Sequence, residues 1–98
     1  MKIVWLPFAQ HDFASISAYY EANASKDIAH RVIRHIVHRA SLLIENPHLG
    51  RPSESVDGIH ELHVTQVPYL LPYRVRGEQI EILRVFHEAQ DRPSTWQE

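Results

Sequence analysis

The chain has no cysteine, so it can build neither a disulfide framework nor a thiolate metal site. That suits a reducing compartment. Its first thirteen residues hold only a short apolar run before helix-like sequence begins, which is not the build of a signal peptide. No stretch approaches the roughly 20 apolar residues of a membrane span. A cytoplasmic protein that does not engage the membrane is the expectation. A basic excess is also missing. Ten Lys and Arg face 12 Asp and Glu, for a net charge of -2 and a pI near 6.4. A protein that grips phosphate backbones usually carries surplus positive charge. Broad nucleic-acid contact would therefore need the eight histidines to be protonated, or the Lys and Arg to cluster on one face. Repeats and low-complexity segments are absent. So are a Ser/His/Asp order, a phosphate-cradling glycine loop and a conspicuous carboxylate pair.

What is present fits one α+β domain spanning residues 1–98, with 44% hydrophobic and 22% charged residues. Residues 2–7, KIVWLP, read as a short strand ended by Pro7. Ala9, Phe13, Ile16 and Tyr20 recur at helical spacing and predict an amphipathic helix. Ser25 is placed to cap a second helix, with Asp27 in its first turn. Ala29, Val32, Ile33, Ile36, Val37, Ala40, Leu43 and Ile44 form its apolar stripe. Arg31, Arg34, His35, His38 and Arg39 lie largely off that stripe, and Asn46-Pro47 stops the helix. Residues 46–58 read as a loop. Three strands are predicted after it, over 59–65, 69–76 and 79–87, with Gly77-Glu78 turning the last pair. Pro72 inside the middle one implies an edge position or a bulge. The order is β-α-α-β-β-β: a helical hairpin packed on one face of a mainly antiparallel sheet, with the first strand joining an edge.

Several residues invite a chemical reading, each beside a plainer one. His35 and His38 are a possible metal pair, but no acidic partner completes a familiar spacing, and solvated surface histidines are the plainer reading. His60 and His63, three apart on a strand, point to opposite faces. His87 closes the last strand, where it could act as general acid or base, or simply hydrogen-bond the tail or a partner. Arg51, Arg74, Arg76 and Arg84 could form a basic patch for an acidic partner. The alternative is ordinary surface charge, with Arg74 or Arg84 paired to Glu61 or Glu81. Trp96, alone in a polar tail, is a core plug or a partner anchor. No cofactor and no metal are expected.

Five stretches, taken in order, resemble the RelE/ParE toxin family of type II toxin–antitoxin systems. They are Ala9 with Asp12-Phe13, then Asn46-Pro47 with Leu49-Gly50-Arg51, then Gly58-Ile59-His60-Glu61-Leu62. Pro68 to Val75 follows, then Ile82-Leu83-Arg84-Val85-Phe86-His87, with Asp91-Arg92 and Trp96 beyond. The resemblance implies a β-α-α-β-β-β toxin fold and a growth-arresting toxin neutralised by a cognate antitoxin. Operator DNA would be touched only through that antitoxin.

The family's two branches imply different chemistry. One cuts messenger RNA on the ribosome; the other, ParE-like, poisons DNA gyrase by binding. One ribonuclease subgroup carries an arginine in the third strand, where this chain has Leu70 within Tyr69-Leu70-Leu71-Pro72-Tyr73. That subgroup's glutamate after Gly-Lys-Pro corresponds to Ser53 after Gly50-Arg51-Pro52. Its strand-end histidine survives as His87, but the aromatic that follows is replaced by Glu88. The other ribonuclease type relies on a cluster of Lys and Arg, whereas the two lysines here are Lys2 and Lys26. Phosphoryl-transfer chemistry inside a polyanionic ribosome also fits an acidic pI poorly. The ParE-like reading is favoured, as a binding toxin rather than an enzyme. In the messenger-ribonuclease alternative, Arg51, Arg74, Arg84 and His87 would be the catalytic residues. Trp96 and Arg76 are candidates for partner binding in either case.

Overall fold

The computed structural model describes residues 1–96. Strand β1 (Lys2–Trp5) leads into helix α1 (Pro7–Asn23), and helix α2 (Lys26–Ser41) continues into a 3-10 turn at Leu42–Ile44. The strands β2 (Arg51–Pro52), β3 (His60–His63), β4 (Tyr69–Arg76), β5 (Gln79–Ile82) and β6 (Phe86–His87) follow. The sheet runs β1-β5-β4-β3-β2, with β6 pairing β4 beyond the end of β5. β1 is parallel to β5 and the other pairings are antiparallel. The expected fold class and the edge position of the first strand both hold.

Pro7 does not end the first strand; it opens α1. At a helix's first position its missing N–H would have had no partner anyway. Ser25 caps α2, its Oγ accepting from the Ile28 N–H at 3.1 Å, with Asp27 in the first turn. Replacing Ser25 by alanine removes that acceptor. It is expected to cost about 1 kcal/mol, read as a lower urea midpoint with an unchanged denaturant slope, whereas Ser25→Asp should retain most of the stability.

The core lies between the hairpin and one face of the sheet. Ala9 and Ile16 of α1, and Val32, Ile36 and Ala40 of α2, meet Leu62, Leu71, Tyr73, Ile80 and Ile82. Two residues of the predicted α2 stripe leave it: Val37 is 44% exposed and Ile44 40%. A second cluster, Ile59, Leu70, Leu83, Phe86 and Trp96, packs separately. Leu70 and Tyr69 are adjacent on β4, so alternation puts this cluster on the sheet face away from the helices.

The last predicted strand is broken. Leu83–Val85 separates β5 from β6, and both pair the same side of β4. Pro72 explains the break. It sits in the central strand, not at an edge, and its carbonyl accepts from the Leu83 N–H at 2.9 Å. In an antiparallel strand a residue's N–H and C=O point to the same side. The donor that Pro72 lacks is therefore missing at the gap, where a continuous strand would need it. The loop predicted over 46–58 also contains a short strand. Arg51 and Pro52 register with Glu61 and His60, making β2 the sheet's other edge.

Candidate functional site

Arg51, Arg74 and Arg76 are placed on the helix-free face by register. Arg74 lies directly opposite Glu81 on β5, and its Nε donates to Glu81 Oε1 at 2.6 Å. Arg76, two residues on, comes within 3.8 Å of the same oxygen. Arg51 faces Glu61 across β2–β3, and Arg92 of the tail donates to Glu61 Oε1 at 3.0 Å. Arg51, Glu61, His63 and Arg92, with Pro52, Glu54 and Ser55, line a shallow cavity of about 380 Å³. This face is thus a lattice of alternating Arg and Glu rather than a patch of one sign.

Arg84 stands apart. Arg84 lies within the break at Leu83–Val85 and faces α1, the side to which alternation from Ile80 and Ile82 also directs it. There its Nε and Nη2 donate to the two carboxylate oxygens of Asp12 at 2.7 and 2.9 Å. The Val85 N–H donates to Asp12 Oδ2 at 2.9 Å. Hydrogen bonding to Asp12 holds the Arg84 pKa above its ordinary value against the opposing effect of burial. The guanidinium also sits 5.9 Å from the Phe8 ring centroid. The pairing expected for Arg74 is present, with Glu81; that for Arg84 is corrected from Glu61 or Glu81 to Asp12. Asp12 had a sequence signal only as part of Asp12-Phe13, with no partner visible 72 residues away.

His87 is opposite Tyr69 in the β4–β6 ladder, its ring edge-on to the tyrosine at 5.4 Å. The Ala89 N–H donates to its Nδ1 at 3.1 Å, which leaves a neutral ring's proton on Nε2. Tyr69 itself is buried, and burial, then hydrogen bonding with Tyr20, holds its phenol well above the usual tyrosine range. The phenol therefore stays protonated at neutral pH. His87 belongs to the helix-covered side, Arg51 and Arg74 to the other, and Arg84 to the α1 junction. The structure does not gather Arg51, Arg74, Arg84 and His87 around one point. Trp96 is 7% exposed and packs edge-on against Phe86 at 4.9 Å. Its indole N–H has no partner among the described residues.

Another arrangement was not anticipated. The Tyr73 hydroxyl donates to the Pro47 carbonyl at 2.8 Å and accepts from the Gly50 N–H at 2.9 Å. It pins the loop after α2 to the central strand and so positions Arg51. Burial raises the Tyr73 pKa, with the Gly50 hydrogen bond opposing. Among the described residues, no three His, Asp or Glu side chains gather in a metal-binding group, and no helix is long and apolar enough to cross a membrane.

A two-helix hairpin laid on one face of this mixed sheet is the architecture of the small RelE/ParE-like toxins. The family model for the ParE toxin of the type II toxin-antitoxin system, parDE, matches residues 3–92. A solved structure, "Chromosomal ParDE TA system from P. aeruginosa", is 31% identical with a TM-score of 0.81, covering 89% of this chain and 95% of that one. No curated protein matches the chain significantly. The chain belongs to the ParE toxin family of type II toxin–antitoxin systems. That is the branch the substitutions at Leu70 and Ser53 favoured.

Proposed function

We infer that this toxin arrests growth in the cytoplasm by binding DNA gyrase and is neutralised by a cognate antitoxin, through which alone it meets operator DNA. The observation that carries the binding reading is the engagement of three of the four candidate catalytic groups. Arg74 is spent on Glu81, Arg84 on Asp12, and His87 Nδ1 on the Ala89 amide. Contacts of this kind hold a fold together. A general acid–base pair would instead stand within hydrogen-bond reach of one reacting phosphate.

The test is to express the chain without antitoxin and follow the DNA-damage (SOS) response beside messenger RNA decay. Induction of the damage response with intact transcripts, relieved by a resistant gyrase variant, is the expected result. His87→Ala and Arg51→Ala should leave the arrest unchanged. Rapid cleavage of translated messages without a damage response would overturn the reading.

A further inference from the structure

His60 and His63 point to opposite faces of β3 and cannot share a ligand. In the fold His60 meets a different histidine. Its ring lies 6.0 Å, centroid to centroid, from that of His48 in the loop after α2. His48 is exposed and His60 partly buried. The pair sits on the helix-covered side of the sheet, because His60 is directly opposite Tyr73 in the β3–β4 ladder.

Tyr73 supports both. Its ring stacks on His60 at 5.5 Å, with the planes 28° apart. Its hydroxyl grips the Pro47 carbonyl and the Gly50 N–H, on either side of His48. One buried tyrosine thus fixes one imidazole and the segment that carries the other. His60 Nδ1 is buried and has no hydrogen-bond partner among the described residues. A buried polar atom left in that state costs about 1–3 kcal/mol. Such atoms are few in native folds, and an ion or a water is the usual partner of those that occur.

The spacing suits an ion. A metal bound by two imidazoles sits about 2.0–2.1 Å from each nitrogen, hence roughly 3.2 Å from each ring centroid. The centroids are then about 5.2 Å apart at a tetrahedral angle and about 6.4 Å apart when the ligands are collinear. The observed 6.0 Å lies between these limits. His48, being exposed, can turn its ring to the ion while the backbone stays in place. The donor set also selects the metal. Among the described residues no third His, Asp or Glu joins the pair. Imidazole nitrogens without carboxylates suit Zn²⁺, Ni²⁺ or Cu²⁺, whereas Mg²⁺ and Ca²⁺ take oxygen ligands.

We propose that His48 and His60 form a binding site for a divalent transition metal, with Zn²⁺ held by the two imidazoles and its remaining positions filled by water. The ion gives His60 Nδ1 its missing partner. It also staples the loop before β2 to β3, beside the clasp that Tyr73 already makes.

The test titrates Zn²⁺ into the full chain by calorimetry, in a buffer that does not bind metal. The chain should bind one Zn²⁺, and its melting temperature should rise with zinc concentration; Mg²⁺ should do neither. His48→Gln should weaken binding by at least ~10-fold, the lower end of what loss of a ligand's support alone costs. Its melting temperature without metal should match that of the unaltered chain, because His48 is exposed. The double variant His35→Gln, His38→Gln removes the histidine pair of α2 and should keep the full affinity. Substoichiometric Cu²⁺ should broaden the NMR signals of His48, His60 and Tyr73 before those of the other histidines. Absence of Zn²⁺ binding would overturn the proposal. So would affinity that survives in His48→Gln, affinity lost with His35 and His38, or broadening centred on α2, each of which would mean an adventitious ion only.

Discussion

Asp12→Ala is expected to unfold a large fraction of the protein's stability, by about 2–4 kcal/mol. The side chain makes three charge-assisted hydrogen bonds at 2.7–2.9 Å, two from Arg84 and one from the Val85 N–H. Asp12 is 12% exposed and Arg84 27%, so its removal strands a guanidinium and an amide where water replaces the carboxylate poorly. The pair is not fully buried, and for that reason the figure lies below that of a deep ion pair. The damage is also topological, because Asp12 is the tether between α1 and the break separating β5 from β6. Asp12→Asn keeps an acceptor for Val85 but not the charge and should lose roughly half as much. Urea denaturation with an unchanged slope checks both. A loss below about 1 kcal/mol for Asp12→Ala would show that solvent screens the pair.

Gly50→Ala is the second severe substitution, although Gly50 has no need of a left-handed backbone. A Cβ there would lie 2.6 Å from Tyr73 Cε1, 2.9 Å from the Tyr73 hydroxyl and 2.9 Å from the Glu61 carbonyl oxygen. Neither neighbour can yield. Tyr73 has no exposed surface and is held by Pro47 and Gly50 itself, and Glu61 is in the β3–β4 ladder. Relief requires the Leu49–Arg51 segment to move off Tyr73, breaking its hydrogen bonds and β2 with them. The expected cost is about 2–4 kcal/mol, overpacking plus a buried hydrogen bond, which is on the order of 10–20 °C in melting temperature for a domain of this size. Tyr73→Phe removes the hydroxyl and leaves the Gly50 N–H buried without an acceptor, for about 1–3 kcal/mol. Thermal unfolding of both variants checks the order, Gly50→Ala being the worse.

Much of the fold was legible because its cues are local. Ala29, Val32, Ile36 and Ala40 mark one face of α2, Ser25 its start, and Gly77 (φ 59°) a turn. The departures come from tertiary demands. Pro7 looks like a strand stop until the following residues are seen to be helical from that position. Pro72 reads as an edge signal in isolation. In the sheet its missing donor is matched by a gap in the neighbouring strand, which no pattern within residues 79–87 announces. The prediction for Arg84 failed on parity: three residues from Glu81, it alternates onto the opposite face, where its partner Asp12 lies 72 residues away in sequence. The cross-strand pair Arg74–Glu81 was within reach of the sequence because a two-residue hairpin turn fixes register. The Tyr73–Gly50–Pro47 clasp was not, since it joins residues 23 and 26 positions apart through backbone groups.

The parallel pairing of β1 with β5 has a consequence for when this toxin becomes whole. Lys2 registers with Gln79, and Trp5 with Ile82, so the first strand made during synthesis finds its place only when most of the chain has followed it. Until then the hairpin of α1 and α2 can form but has no completed sheet to rest on. Closing so long a loop is slow compared with forming helices. The emerging chain is therefore a pair of helices before it is a toxin.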